Sequence, residues 1–430
     1  MKNSEICESW KARIAPFMCW IGELKKPETL RADLIAGITV ALVLVPQSMA
    51  YAQLAGLPPY YGLYASFLPG IIAAIFGSSR QLATGPVAVV SLMTASALEP
   101  IAGASPELYV AYAIMLAFMV GVFQMGLGLL RLGVLVNFLS HPVVIGFTNA
   151  AAIIIGTSQL GKLFGVSVEK SEHTYETVYN TIVEAFRNTH TETLLMAILA
   201  LGIMIVLKRF LPKIPNVLTA VAVTTIISWW IGFEAMGGKV VGVVPSGLPP
   251  MALPTFDFDT MVKLFGVAVA ISIIGFMEAI SIAKAMAART RQRLDANQEL
   301  VGQGLGNIVS SLSSGYAVSG SFSRSAVNIN AGAITGFSAV VTGLVVGITL
   351  LFLTPLLYHL PQATLAAVII MAVINLVKIE PIKYAWRVQK HDGAVAIITF
   401  VMTVSYTHLR AHETASFISY AVFCLKIGGG

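Results

Sequence analysis

Thirteen apolar runs separated by short polar joints make up most of this chain: residues 33–53, 60–77, 84–98, 108–130, 134–158, 193–211, 215–232, 262–284, 299–313, 320–333, 336–354, 361–377 and 393–404. About 20 apolar residues in a helix span the ~30 Å hydrocarbon core of a bilayer. Lipid offers no hydrogen bonds, so backbone crossing it folds as helices or as a closed barrel, and runs of this length are helices. The expected fold class is an all-α polytopic membrane protein. Composition agrees: the 430 residues are 56% hydrophobic and 11% charged, with a mean hydropathy of +0.80. A soluble domain carries roughly a quarter charged residues.

Several functions are excluded at this level. Residues 1–28 mix Trp, Lys and Glu without an apolar stretch, so no cleavable signal peptide is expected. Cys7, Cys19 and Cys424 have no metal-ligand spacing and suggest neither a disulfide framework nor a metal site, and no cofactor is expected. The net charge of +6 does not point to nucleic acid, because the basic residues cluster between apolar runs. If the N-terminus is cytoplasmic and each run crosses or half-crosses in turn, nineteen Lys and Arg fall inside and five outside. That asymmetry supports a cytoplasmic N-terminus, with residues 1–30 as a cytoplasmic segment, and the multi-pass protein is expected in the cell inner (plasma) membrane. The long outside loops, 159–191 and 233–260, resemble no catalytic domain, and no His, Cys or carboxylate cluster lies within the spans, so no enzyme is expected.

A short internal repeat directs attention to two places. Gly77-Ser78-Ser79-Arg80-Gln81-Leu82-Ala83-Thr84-Gly85 and Leu312-Ser313-Ser314-Gly315-Tyr316-Ala317-Val318-Ser319-Gly320 share Ser-Ser, four variable residues, Thr or Ser, then Gly, at a constant offset of 235. Seven spans separate the copies and give them opposite orientations, the mark of inverted-topology repeats (about 31–232 and 260–404). In each copy a polar stretch precedes an apolar segment too short to cross the bilayer. Residues 85–98 and 320–333 are therefore read as discontinuous helices starting near the midplane, one opened by Gly85-Pro86, the other capped by Ser319 or Ser321.

Two such helix starts present unpaired N–H groups and partial positive charge. Arg324 adds a full charge in the first turn of the second half-helix, where both lipid and the helix dipole disfavour it. A bound anion relieves both penalties; a standing pair with Glu278 of the eighth span is the alternative. Glu278 itself reads as a proton- or cation-coupling residue or as a structural counter-ion. Gln47 and Tyr51 follow Pro46 on one helix face and read as substrate contacts or as interhelical packing.

At these residues the chain resembles the sulfate permease (SulP) family of anion transporters. The resemblance rests on Val45-Pro46-Gln47-Ser48-Met49-Ala50-Tyr51-Ala52, on Gly56-Leu57-Pro58-Pro59-Tyr60-Tyr61-Gly62-Leu63-Tyr64-Ala65-Ser66-Phe67, and on Thr84-Gly85-Pro86. Gly146-Phe147-Thr148-Asn149-Ala150 and Gly320-Ser321-Phe322-Ser323-Arg324-Ser325 extend it over about residues 30–404. It implies a seven-plus-seven inverted repeat in which a core bundle (spans 1–4 and 8–11) moves against a gate bundle, with short half-helices in spans 3 and 10. It implies an anion held between those half-helices with side chains from span 1. The expected substrate-binding set is Gln47, Tyr51, Thr84, Gly85, Pro86, Val87, Gly320, Ser321, Phe322, Ser323 and Arg324, with Glu278 coupling. Val87 stands where some relatives place an aromatic.

The implied activity is secondary active transport of a small inorganic or carboxylate anion, sulfate first, bicarbonate or a dicarboxylate next. Proton or sodium would be the coupling ion in symport, or anions would exchange; an anion channel and a nucleobase–cation symporter of the same fold are the alternatives. The partners expected are the anion, a coupling proton or sodium, and the bilayer, with a homodimer allowed. The resemblance also implies a fourteenth span and a STAS domain, which the sequence lacks. The transport domain is assigned to 31–404, with the last spans truncated, and 405–430, with two His, an Arg and a Glu in place of apolar residues, reads as an atypical tail or artefact.

Overall fold

The computed structural model describes residues 15–102, 105–133, 141–168, 174–211, 214–374, 376–377, 379–388 and 390–405. The tail beyond 405 lies outside the described residues. Each apolar run holds one helix. In chain order they are α1 (Pro27–Leu54), α2 (Tyr60–Phe76), α3 (Ala88–Ala102), α4 (Pro106–Leu129), α5 (His141–Ser158), α6 (Thr191–Phe210) and α7 (Asn216–Ile231). They continue as α8 (Phe258–Thr290), α9 (Ala296–Leu312), α10 (Phe322–Asn330), α11 (Phe337–Ile348), α12 (Gln362–Ile374) and α13 (Lys390–Ser405). Helices α1, α4, α6 and α8, and α11 with its extension to Leu357, are long and apolar enough to cross a bilayer. Two strands, β1 (Ala83–Gly85) and β2 (Ser319–Ser321), precede the short helices α3 and α10.

The chain forms two compact units, Met1–Val136 with Ser246–Phe352, and Asn137–Pro245 with Leu353–Gly430. The first contains α1–α2–β1–α3–α4 and α8–α9–β2–α10–α11. Each element of the first series starts between 231 and 236 residues before its counterpart. The packing repeats with them: α4 lies on α9 as α11 lies on α2, α11 on α1 as α4 on α8, and α10 on α1 as α3 on α8. Two inverted copies of one motif thus close on each other.

Local chemistry sets the helix ends. Pro27 and Pro106 stand in first turns, where the missing N–H removes no bond. Ser105 accepts from Leu108 N to start α4, and Asp295 accepts from Asn297 N and Gln298 N to start α9. Asp257 starts α8 by accepting from the Thr260 hydroxyl and amide, and the hydroxyl bond holds its carboxyl below the usual range. Buried Asp33 on α1 accepts from Ile334 N (2.7 Å), Thr335 N (3.1 Å) and Thr335 Oγ1 (2.5 Å), which fastens α1 to the α10–α11 joint of the opposite repeat.

Small residues let the repeats meet backbone to backbone. A Cβ on Gly304 of α9 would sit 2.5 Å from Met125 N of α4. Gly304→Val is expected to lower the melting temperature in detergent through about 1–3 kcal/mol of overpacking; an unchanged value would show that α4 and α9 can separate freely.

In the second unit α13 packs on α5, while α12 contacts α5, α6 and α7. Gly146 permits the α5–α13 approach, since a Cβ there would lie 2.3 Å from Ala396 O. The 159–191 loop is partly helical, with Leu160–Phe164 and Thr174–Asn188.

Three expectations are corrected. Gly85-Pro86 does not open a helix: Gly85 ends β1 and α3 begins at Ala88, because the residue before a proline is pushed to extended backbone. Neither serine caps α10. Ser321 occupies the cap position without a side-chain bond, and the Ser319 hydroxyl donates instead to Gly275 O (2.7 Å) on α8. Cys19 is disulfide-bonded, contrary to the reading from cysteine spacing, since spacing along a chain does not report proximity in space.

Candidate anion-binding site

The two half-helices are brought together by a feature that apolar periodicity does not show. β1 and β2 pair antiparallel with Ala83 opposite Ser321, Thr84 opposite Gly320 and Gly85 opposite Ser319. A ribbon three residues long spans about 10 Å, and α3 and α10 leave from its opposite ends. Ser325 of α10 accepts the Ala83 N–H into its hydroxyl at 2.9 Å, so the second repeat holds the strand of the first. Gly320 is pressed against α8, where a Cβ would lie 2.8 Å from Leu82 Cδ1 and 3.1 Å from Ala279.

Arg324, in the first turn of α10, is completely buried. Its Nη1 donates to Gln47 Oε1 at 3.1 Å, and Gln47 Nε2 donates to the Tyr51 hydroxyl at 3.1 Å. Among the described residues Nε and Nη2 have no hydrogen-bond partner, and no ion pair includes Arg324. Glu278 is half-buried on α8. Ser91 of α3 and Tyr316 join their buried hydroxyls at 3.0 Å. A cavity of ≈ 10 Å³ beside the guanidinium, lined by Leu44, Ser66, Thr84, Arg324, Asn328 and Thr342, has room for about one water. A larger cavity of ≈ 310 Å³ lies within the second unit and includes none of the expected site residues.

Of the expected set, Gln47, Tyr51, Thr84, Gly85, Pro86, Val87, Gly320, Ser321 and Arg324 are all buried within the first unit. Phe322 (49%) and Ser323 are exposed, the Ser323 hydroxyl lying 3.4 Å from that of Ser321. Helical geometry explains this: with Arg324 facing inward, its two predecessors face other directions on the same turn.

Sequence reading missed a polar stripe on α9. Glu299 Oε2 accepts from Ser78 N (3.0 Å) and Ser79 N (2.9 Å). Gln303 Nε2 donates to Thr84 Oγ1 at 2.8 Å. Asn307 bonds both backbone groups of Val318, N–H to Oδ1 at 2.8 Å and Nδ2 to O at 3.0 Å. The signal was present as three polar residues spaced by four along an apolar span.

The model of the sulfate permease family matches residues 30–399. "Probable sulfate transporter 4.2" of Arabidopsis thaliana is 43% identical over 406 residues, 92% of this chain and 59% of that protein. "Sodium-independent sulfate anion transporter" of Bos taurus is 34% identical, covering 93% of this chain and 70% of that protein. Among solved structures, SLC26A9 superposes with a TM-score of 0.89 at 24% identity, over 99% of this chain and 70% of that one. The transmembrane domain of a cyanobacterium bicarbonate transporter, BicA, gives 0.79 at 27% identity, over 89% of this chain and 97% of that domain. The chain therefore spans well under two thirds of the Arabidopsis relative but nearly all of a solved transmembrane domain, and shares the inverted-repeat transporter fold. It belongs to the sulfate permease family.

Proposed function

We propose that this chain carries out secondary active transport of a small inorganic or carboxylate anion by alternating access, with sulfate as the first candidate. One observation carries the reading: a fully buried guanidinium holds a single hydrogen bond, beside the ribbon from which two half-helices start. A buried charge is tolerated when it is paired and hydrogen-bonded, and an anion at Arg324 meets both conditions while also meeting the helix dipoles. Gln47 orients the guanidinium, Tyr51 orients Gln47, and Thr84, Gly85, Pro86, Val87, Gly320 and Ser321 form the surrounding wall. Relatives named as sulfate transporters and a structural neighbour named as a bicarbonate transporter favour sulfate and bicarbonate as the first substrates to try. Plasma-membrane residence is part of the proposal, and the cytoplasmic N-terminus is supported by the nineteen-to-five charge asymmetry.

The test is uptake of labelled sulfate, bicarbonate and succinate into proteoliposomes, with pH and sodium gradients varied separately. Saturable uptake of at least one anion is expected, and none of any would refute the proposal. A channel would show flux without saturation. A nucleobase–cation symporter is disfavoured because an arginine, rather than carboxylates, stands at the half-helix ends.

Coupling is assigned to Glu278, a carboxyl half-buried on α8, which packs on α3 and α10. Glu278→Gln is expected to leave anion binding in place and to remove the dependence of uptake on a proton or sodium gradient. Uptake that keeps its gradient dependence in the variant would exclude Glu278 as the coupling residue.

A further inference from the structure

We propose that Glu299, acting through Gln303, turns the hydroxyl hydrogen of Thr84 toward the bound anion, so that Glu299 is a positioning residue for the transport site. The inference rests on the reading of Thr84 as an anion contact.

Hydrogen-bond direction carries the argument. Glu299 is 2% exposed, and its close partners are donors: Ser78 N at 3.0 Å and Ser79 N at 2.9 Å on Oε2, and Gln303 Nε2 at 3.2 Å on Oε1, while the Ser78 hydroxyl, 3.4 Å from Oε2, donates at 2.9 Å to Asp295 O. This is the surrounding of an ionised carboxylate. Gln303, 1% exposed, must therefore turn its NH₂ toward Glu299, and the same NH₂ reaches Thr84 Oγ1 at 2.8 Å. The Gln303 carbonyl is left without a partner, an arrangement that persists only if the carboxylate fixes the amide. Thr84 Oγ1 is thus an acceptor toward Gln303. Its own hydrogen has no acceptor among the described residues, and Thr84 shares the water-sized cavity with Arg324. A hydroxyl held this way is a donor to whatever anion Arg324 holds.

Glu299→Gln reverses the chain without changing its shape. The two backbone N–H groups of Ser78 and Ser79 require an oxygen, so the new amide must turn its NH₂ toward Gln303. Gln303 then turns over, and its carbonyl accepts from both residue 299 and Thr84. The Thr84 hydrogen is engaged there, and lone pairs face the anion.

The experiment is labelled-sulfate uptake kinetics in proteoliposomes of the parent, Glu299→Gln, Thr84→Val, Thr84→Ser and Glu299→Gln/Thr84→Val. Glu299→Gln and Thr84→Val are each expected to raise KM about tenfold, the scale of one charge-assisted hydrogen bond, with maximal rates within about twofold of the parent. Thr84→Ser should keep the parental KM, and the double variant should be no worse than either single one. Gln303→Met, which leaves Glu299 its backbone partners, supplies the same comparison should Glu299→Gln fail to fold: KM rises with Thr84 present and is unchanged with Val at 84. Independent, multiplying effects, or a loss of maximal rate at unchanged KM, would overturn the proposal. A parental KM in Thr84→Val overturns it while leaving anion transport standing, whereas a parent chain without sulfate uptake overturns both.

Discussion

Arg324→Ala is expected to reduce labelled-sulfate uptake roughly 100-fold, about 3 kcal/mol at 1.4 kcal/mol per factor of ten. The guanidinium is the one full positive charge placed beside the ribbon, and its Nε and Nη2 have no protein partner among the described residues. Removing a charge that is hydrogen-bonded to a bound anion in a buried site costs on the order of 2–5 kcal/mol. Arg324→Lys should recover only part of the loss, since an ammonium on a flexible stem cannot reproduce the planar fork. Stability should move the other way. Arg324→Met keeps most of the volume and removes a buried charge without an ion-pair partner, so it should melt no lower than the parent. Uptake and anion selectivity that survive in Arg324→Ala would remove Arg324 from the site.

Gln47→Glu should separate stability from transport most clearly. Gln47 Oε1 lies 3.1 Å from Arg324 Nη1, so a carboxylate there gives the guanidinium a permanent counter-ion. The melting temperature in detergent should rise, because a buried charge gains a directly bonded partner. Sulfate uptake should fall by about as much as in Arg324→Ala, because the resident carboxylate competes for the charge the anion needs. A variant that is stabilised yet transports at the parental rate would show that the anion binds elsewhere.

How far these features could be read from residues alone depends on the range of the interactions behind them. The thirteen helices that lie in apolar runs were legible because a bilayer imposes a length and an apolar composition that a linear scan detects, whereas Leu160–Phe164, Thr174–Asn188 and Glu380–Val388 lie outside those runs. The inverted relation of the halves was legible from Ser78-Ser79 and Ser313-Ser314 because the two copies kept the same residues at a fixed offset. The β1–β2 ribbon was not, since three-residue strands are defined by a partner more than 200 positions away. That partnership also explains why Gly85-Pro86 and Ser319 were misread as helix-start residues. Gln47 and Arg324 were singled out on separate grounds, one as an amide beside a helix break and the other as a charge lipid disfavours; their hydrogen bond is a tertiary fact. Phe322 and Ser323 are exposed beside buried Arg324, because a helix turns neighbours about 100° apart. The Glu299–Gln303–Asn307 stripe was written in the sequence at helical spacing. It went unread because its partners, Ser78, Thr84 and Val318, lie in connecting segments.

The most direct test of the central claim is counterflow. Proteoliposomes of this chain, preloaded with unlabelled sulfate or left empty, are given labelled sulfate outside, and initial uptake is followed as a function of its concentration. The account predicts uptake that saturates, accelerates when sulfate is inside, and falls roughly 100-fold in both Arg324→Ala and Gln47→Glu. Flux that stays linear in concentration and indifferent to internal sulfate, or saturable flux unchanged in both variants, would contradict it.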